Sequence, residues 1–215
     1  MSQTERTADF FDRYSRDFSA IYGNRNTAVN RVVNALFRRS MRMRFALTLE
    51  GCEPVAGRSV LDIGCGPGHY SVELARRGAA RVLGIDFADG MLEIARSAAE
   101  RAGMAKTCEF ARADFFKESM NERFDYVVAM GFMDYVERPA DTVRKALELA
   151  RIRAFFSFPV AGGFLAWQRQ LRYRSRCDLY LYTESQIRDI FSGTPAKRID
   201  VRKIDRDLFV TAHLA

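Results

Sequence analysis

Val60 to Tyr70 reads VLDIGCGPGHY, and this stretch decides the fold. Val60, Leu61 and Ile63 suit a strand buried on both faces, while Gly64, Gly66 and Gly68 allow a backbone path and a close ligand approach that a Cβ obstructs. Helix follows at once, with Tyr70, Val72, Leu74 and Ala75 ahead of a stop at Gly78. A buried strand that runs through a glycine turn into a helix is a nucleotide-cofactor site. A dinucleotide fingerprint reads GxGxxG, and its third glycine would fall on His69, so this turn does not serve a dinucleotide.

Outward from the turn, strand and helix patterns alternate. Arg81 to Asp86, RVLGID, is a short apolar strand ending in a carboxylate, eighteen residues after Gly68. An acidic residue at that tip is placed to accept both ribose hydroxyls of an adenosine; the competing reading of Asp86 and Asp89 is a cap for the helical run that follows. Strands are predicted over Cys108 to Ala113, Phe124 to Met130 and Ile152 to Phe158, the last closed by Pro159. Helices are predicted over Tyr70 to Arg77, Gly90 to Arg101, Ala140 to Ala150 and, after the N-cap candidate Thr183, Glu184 to Phe191. Ile199 to Ile204 and Leu208 to Leu214 read as a closing hairpin through Asp205 to Asp207. This alternation gives a doubly wound α/β sheet with its ligand crevice beyond the carboxyl ends of the parallel strands.

The GxGxG spacing, with Asp62 two residues before the first glycine and Pro67 inside the turn, resembles motif I of the class I methyltransferases dependent on S-adenosylmethionine (SAM). The resemblance covers residues 58 to 215. It implies a Rossmann-like seven-stranded sheet of order 3-2-1-4-5-7-6 with the last strand antiparallel, SAM as cofactor and S-adenosylhomocysteine as product. It also implies a cofactor site built from Tyr14, Asp62, Gly64, Cys65, Gly66, Asp86, Phe87, Met91, Asp114, Phe115 and Met130. In that family an acidic residue such as Asp114 faces the adenine amino group with an apolar neighbour beside the ring. Met130, Gly131 and Phe132 then fall near the methionine moiety, where Phe132 reads equally well as core.

Composition fits one unit of 215 residues, 48% of them hydrophobic, with an N-terminal helical cap or acceptor region over residues 1 to 57 and the α/β core over 58 to 215. No apolar run approaches the roughly 20 residues of a membrane span, and the polar start lacks a signal peptide's apolar region, so a cytoplasmic setting is expected. Cys52, Cys65, Cys108 and Cys177 form no CxxC pair, and two histidines give a metal mechanism little support. The net charge of +7 comes from 29 arginines and 5 lysines spread along the chain, which reads as coding bias rather than a nucleic-acid footprint. Two clusters stand out: Arg38, Arg39, Arg42 and Arg44, read as a solvated helix face, and Arg169, Arg172, Arg174 and Arg176. The second, also open to the solvated-face reading, is interleaved with Trp167, Leu171 and Tyr173 and suits a flat or acidic acceptor, or an anionic membrane surface.

Ahead of the first strand, Phe10, Phe11, Tyr14, Phe18, Ile21 and Tyr22 form an aromatic stripe. A second helix over Ala28 to Glu50 has Val29, Val32, Val33, Leu36 and Phe37 as its expected buried side. FSAIYG followed by VNRVV, the SFP strand ending and YLYTESQIRDIF are similar to the magnesium-protoporphyrin O-methyltransferases, and to the ubiquinone-biosynthesis type. The resemblance assigns catalysis to Tyr22 and to position 134, where those enzymes carry histidine and this chain carries Asp134. That departure points to a different acceptor. Asp134 is read as a general base, a counter-ion for an amine, an orienter of Tyr135, or a cap in a surface turn. The expectation is methyl transfer to a small molecule, at oxygen ahead of nitrogen, with a catalytically silent partner subunit as the rival outside the class. MGFMDY is not the (D/N)PPY type that holds a flipped base, which disfavours nucleic acid.

Overall fold

The computed structural model describes residues 28–162 and 179–215, with side chains from residue 39 onward. Helix α1 (Ala28–Gly51) precedes β1 (Ser59–Ile63), α2 (His69–Arg76), β2 (Arg81–Asp86), α3 (Asp89–Arg101), β3 (Cys108–Arg112) and β4 (Phe124–Ala129). A 3-10 turn (Met133–Tyr135) leads to α4 (Pro139–Leu149), β5 (Ala150–Pro159), α5 (Glu184–Phe191), β6 (Arg198–Ile204) and β7 (Asp207–His213). The sheet order is β3-β2-β1-β4-β5-β7-β6, as the resemblance implied, and β7 alone runs antiparallel, between β5 and β6.

The order reverses at β1, which pairs with β2 on one side and β4 on the other, so the chain leaves these strands in opposite directions and opens a crevice at their carboxyl ends. Strand alternation sorts the core into two layers. Leu61, Ile63, Val127, Phe156 and Phe158 face one way with Ile187 and Phe191 of α5. Val60, Val82, Val128 and Phe155 face the other way with Leu74 of α2 and Leu92 of α3. Each such side chain, removed from water, contributes about 1.5–3 kcal/mol.

Helix α1 reaches the core through its second half. Thr48 and Leu49 are buried, and the helix touches α2, β6 and β7. Its carboxyl end lies against the sheet: Arg153 Nη1 donates to Gly51 O at 2.7 Å, and a Cβ on Gly51 would stand 2.4 Å from the Phe155 ring. The expected buried side of Val29, Val32, Val33, Leu36 and Phe37 lies outside the described side chains.

The predicted boundaries hold to within two residues, and the one-residue difference at Pro159 is the instructive one. The proline belongs to β5, in register with Asp207, instead of closing the strand ahead of itself. At this last position the missing N–H costs little, and the Pro159 carbonyl still accepts from Tyr182 N–H at 2.8 Å.

Candidate active site

The glycine turn is tied to β2 before any ligand is considered. Gly64 and Cys65 N–H both donate to Ile85 O, at 2.9 and 3.0 Å, and Gly66 N–H donates to Asp86 Oδ2 at 2.9 Å. The other Asp86 oxygen accepts from Ala88 N–H at 3.0 Å. Asp86 is therefore not the cap of α3: the N-cap position is Ala88, whose own side chain offers no capping hydrogen bond. These two N–H donors fix the direction of the carboxylate. Among the described residues, nothing lies within 4 Å of where a Cβ on Gly66, at φ 52°, would sit, so on their side it borders open space. A fixed carboxylate beside that space fits the ribose of an adenosine cofactor.

Asp62 is fully buried, and its Oδ2 accepts from Ser71 Oγ at 2.6 Å, binding β1 to α2 beneath the turn. Burial lifts its carboxyl from 3.8 to about 7, against the pull of Ser71 and helped by the charge of Asp86. Cys65 lies buried in the turn and Met91 in the first turn of α3, with Phe87 half-buried at the β2 tip. Burial pushes the thiols of Cys52, Cys65 and Cys108 up, Cys52 to about 12, which leaves them protonated and unreactive at neutral pH. Among the described residues no three His, Cys, Asp or Glu side chains cluster as a metal site.

Asp114 follows β3 and accepts from Phe116 N–H at 3.0 Å, with Lys117 3.4 Å away. Phe115 is buried and meets Phe132 edge-on at 6.2 Å; Phe116, 47% exposed, stacks on Phe132 at 5.7 Å. Phe132 lies over the glycine turn, its ring 2.7 Å from where a Gly64 Cβ would be, so it lines the crevice and also touches core. The ends of β1, β2, β3 and β4 thus bring Gly64, Gly66, Asp86, Asp114, Phe115 and Met130 to one edge.

Sequence reasoning missed Arg44. Read as part of a solvated face, its side chain is only 11% exposed. Arg44 Nη1 donates to Ser157 Oγ at 3.1 Å, and the same oxygen accepts from Gly131 N–H at 2.8 Å, directly after β4. A Cβ on Gly131 would stand 3.6 Å from that Nη1. The neighbouring Phe45 packs on Tyr70 in the first turn of α2, ring centres 5.2 Å apart. A largely covered guanidinium therefore faces the end of the crevice between β4 and the start of α2. Arg39, by contrast, is exposed and pairs with Asp205. In a chain this rich in arginine the signal was hidden; its helical position, one residue before a core-facing aromatic, was the available clue.

Asp134 is not in a surface turn: it is 4% exposed, within the 3-10 turn after β4. Tyr180 N–H donates to its carbonyl at 3.0 Å, and the Asp134 charge adds to burial in raising the Tyr182 hydroxyl well above its usual range. Tyr182 also bridges to Val160, and Ala161 N–H donates to Tyr182 O at 2.8 Å. The chain leaving β5 and the chain entering α5 are thus joined beside Asp134. Tyr14, Tyr22 and the segment holding Trp167 and Arg169 to Arg176 lie outside the described residues.

Residues 60–152 match a family model described as a methyltransferase domain. The ubiquinone biosynthesis O-methyltransferase of Neisseria meningitidis is 38% identical over 104 residues, covering 48% of this chain and 44% of the relative. That of a Methylobacterium species is 40% identical over 111 residues, covering 49% and 42%. The chain spans less than half the length of these curated relatives. Among solved structures, magnesium protoporphyrin IX methyltransferase from Synechocystis with bound S-adenosylhomocysteine superposes with a TM-score of 0.75 at 20% identity, over 97% of this chain and 98% of that one. Residues 60–152, the stretch that holds the glycine turn, β2, β3 and β4, are thus similar to a methyltransferase domain, on a sheet of the order expected for the SAM-dependent class.

Proposed function

We propose that the protein transfers the methyl group of SAM to a small-molecule acceptor, at oxygen. The observation that carries this reading is the Asp86 carboxylate, fixed by Gly66 and Ala88 N–H at the tip of β2 and bordering the open space at Gly66. When bound, SAM supplies an electrophilic methyl on a sulfonium. Asp86 accepts the ribose hydroxyls, Asp114 and Phe115 take the adenine, and Arg44 offers its cation to the methionine carboxylate. On the acceptor side, the residues must align the nucleophile in line with the methyl group and remove the hydroxyl proton. We assign Asp134 as the proton acceptor and Tyr22 as its partner in the N-terminal region, with residues 1–57 and the arginine segment forming the acceptor wall. Oxygen as the target is supported by the names of the ubiquinone relatives. The buried carboxylate of Asp134 also suits a small amine as the second reading.

Calorimetry of SAM and S-adenosylhomocysteine against the wild type and Asp86→Ala tests the cofactor site. Wild type binds both and the variant loses binding; a wild type that binds neither sinks the reading. For the acceptor, isotope-labelled methyl transfer into a cell extract identifies the product. With that product in hand, Asp134→Asn and Tyr22→Phe slow turnover about 10²-fold or more while sparing SAM affinity. Unchanged turnover in both removes their assigned roles.

A further inference from the structure

A guanidinium held out of water needs its charge balanced and its direction fixed. For Arg44 the direction comes partly from Ser157, whose oxygen also holds Gly131 N–H. The charge comes from the far end of the chain. Asp207, the first residue of β7, is buried and places Oδ2 3.6 Å from Arg44 Nε. That separation is an ion pair and not a hydrogen bond, and the buried Nε makes no hydrogen bond among the described residues. Asp207 therefore balances the cation without using up one of its donors. The carboxylate is in turn set by Ser40 Oγ, which donates to Oδ2 at 2.7 Å from one helical turn earlier on α1.

We infer that Asp207 is a positioning residue, which with Ser40 holds Arg44 at the carboxyl edge of β4 so that its donors serve the carboxylate of the cofactor's methionine moiety. The inference rests on the cofactor reading proposed above. Without Asp207 the guanidinium keeps, among the described residues, its bond to Ser157 and loses the charge that fixes it beside Gly131. A buried ion pair contributes little net stability against a well-packed alternative, but losing one partner disorders the other. The functional consequence is selectivity for the carboxylate, which a merely structural contact would not produce.

The test compares the affinity of SAM with that of decarboxylated SAM, ligands that differ in the carboxylate alone, by calorimetry on the full chain. The wild type prefers the carboxylated ligand. Asp207→Asn, which keeps an acceptor for Ser40 but removes the charge, lowers that preference about tenfold with the decarboxylated ligand bound as before, the scale of one hydrogen bond to a charged group. Ser40→Ala leaves every charge in place and lowers the preference in the same direction by severalfold; it decides the matter alone if Asp207→Asn does not fold. An unchanged preference in the variants, or tighter SAM binding on loss of Asp207, overturns the inference. Wild type that binds neither ligand overturns the cofactor reading and this inference together, whereas wild type that binds with an unaltered preference in the variants overturns this inference alone.

Discussion

Gly66 and Gly68 share a left-handed backbone, at φ 52° and 76°, yet they are glycine for different reasons. A Cβ on Gly68 would stand 2.9 Å from Ala95 Cβ and 3.2 Å from Phe110, so this glycine lets α2, α3 and β3 close on one another. Gly68→Ala adds overpacking of about 1–3 kcal/mol to the backbone strain. Gly66→Ala meets none of the described residues and costs the strain, about 1 kcal/mol, but places a methyl in the space proposed for the cofactor. Thermal unfolding should show the larger loss for Gly68→Ala, and calorimetry the larger loss of SAM binding relative to stability for Gly66→Ala; the reverse order would contradict these assignments. Spacing marked both glycines, but it carries no information on which neighbour each one meets. Arg44 was illegible for a related reason, because its partners Ser157 and Asp207 are distant in sequence and one arginine among 29 does not announce its burial.

The elements themselves were far more legible, because the central strands are apolar runs and the helices carry apolar residues at three- and four-residue spacing. Helix α5 is the clearest case. Thr183 Oγ1 accepts from Gln186 N–H at 3.3 Å, and Gln186 Oε1 accepts from Thr183 N–H at 2.9 Å, a reciprocal capping box that the residue order TESQ already suggests. The helix buries Ile187 and Phe191, and Phe191 packs edge-on against Phe156 at 5.5 Å, so its start is coupled to the core. Thr183→Ala is expected to lower stability by about 1 kcal/mol without changing SAM affinity, read by denaturant unfolding and calorimetry. Where an element's end depended on a partner instead of a local signal, as at Pro159 opposite Asp207, the boundary slipped.

For the whole molecule, Asp62 sets a pH dependence. Its carboxyl is raised from 3.8 to about 7 by burial, so between those values the folded chain holds a proton that the unfolded chain releases. The stability from this group is full below pH ~4 and is lost as pH rises through about 7. Asp62→Asn keeps an acceptor for Ser71 and removes the titration, so its melting temperature relative to wild type should improve from pH 4 towards pH 8; a constant difference across that range would contradict the assignment. The sequence placed Asp62 beside the glycine turn but could not say that it faces α2. The bond between Ser40 and Asp207 spans 167 residues, from α1 to the start of β7. Because a chain is made from its N-terminus, α1 emerges from the ribosome long before its anchor exists. Arg44 therefore gains its Asp207 counter-charge only after β7 has been made, and a product terminated before the β6–β7 hairpin would carry the glycine turn intact with that counter-charge missing.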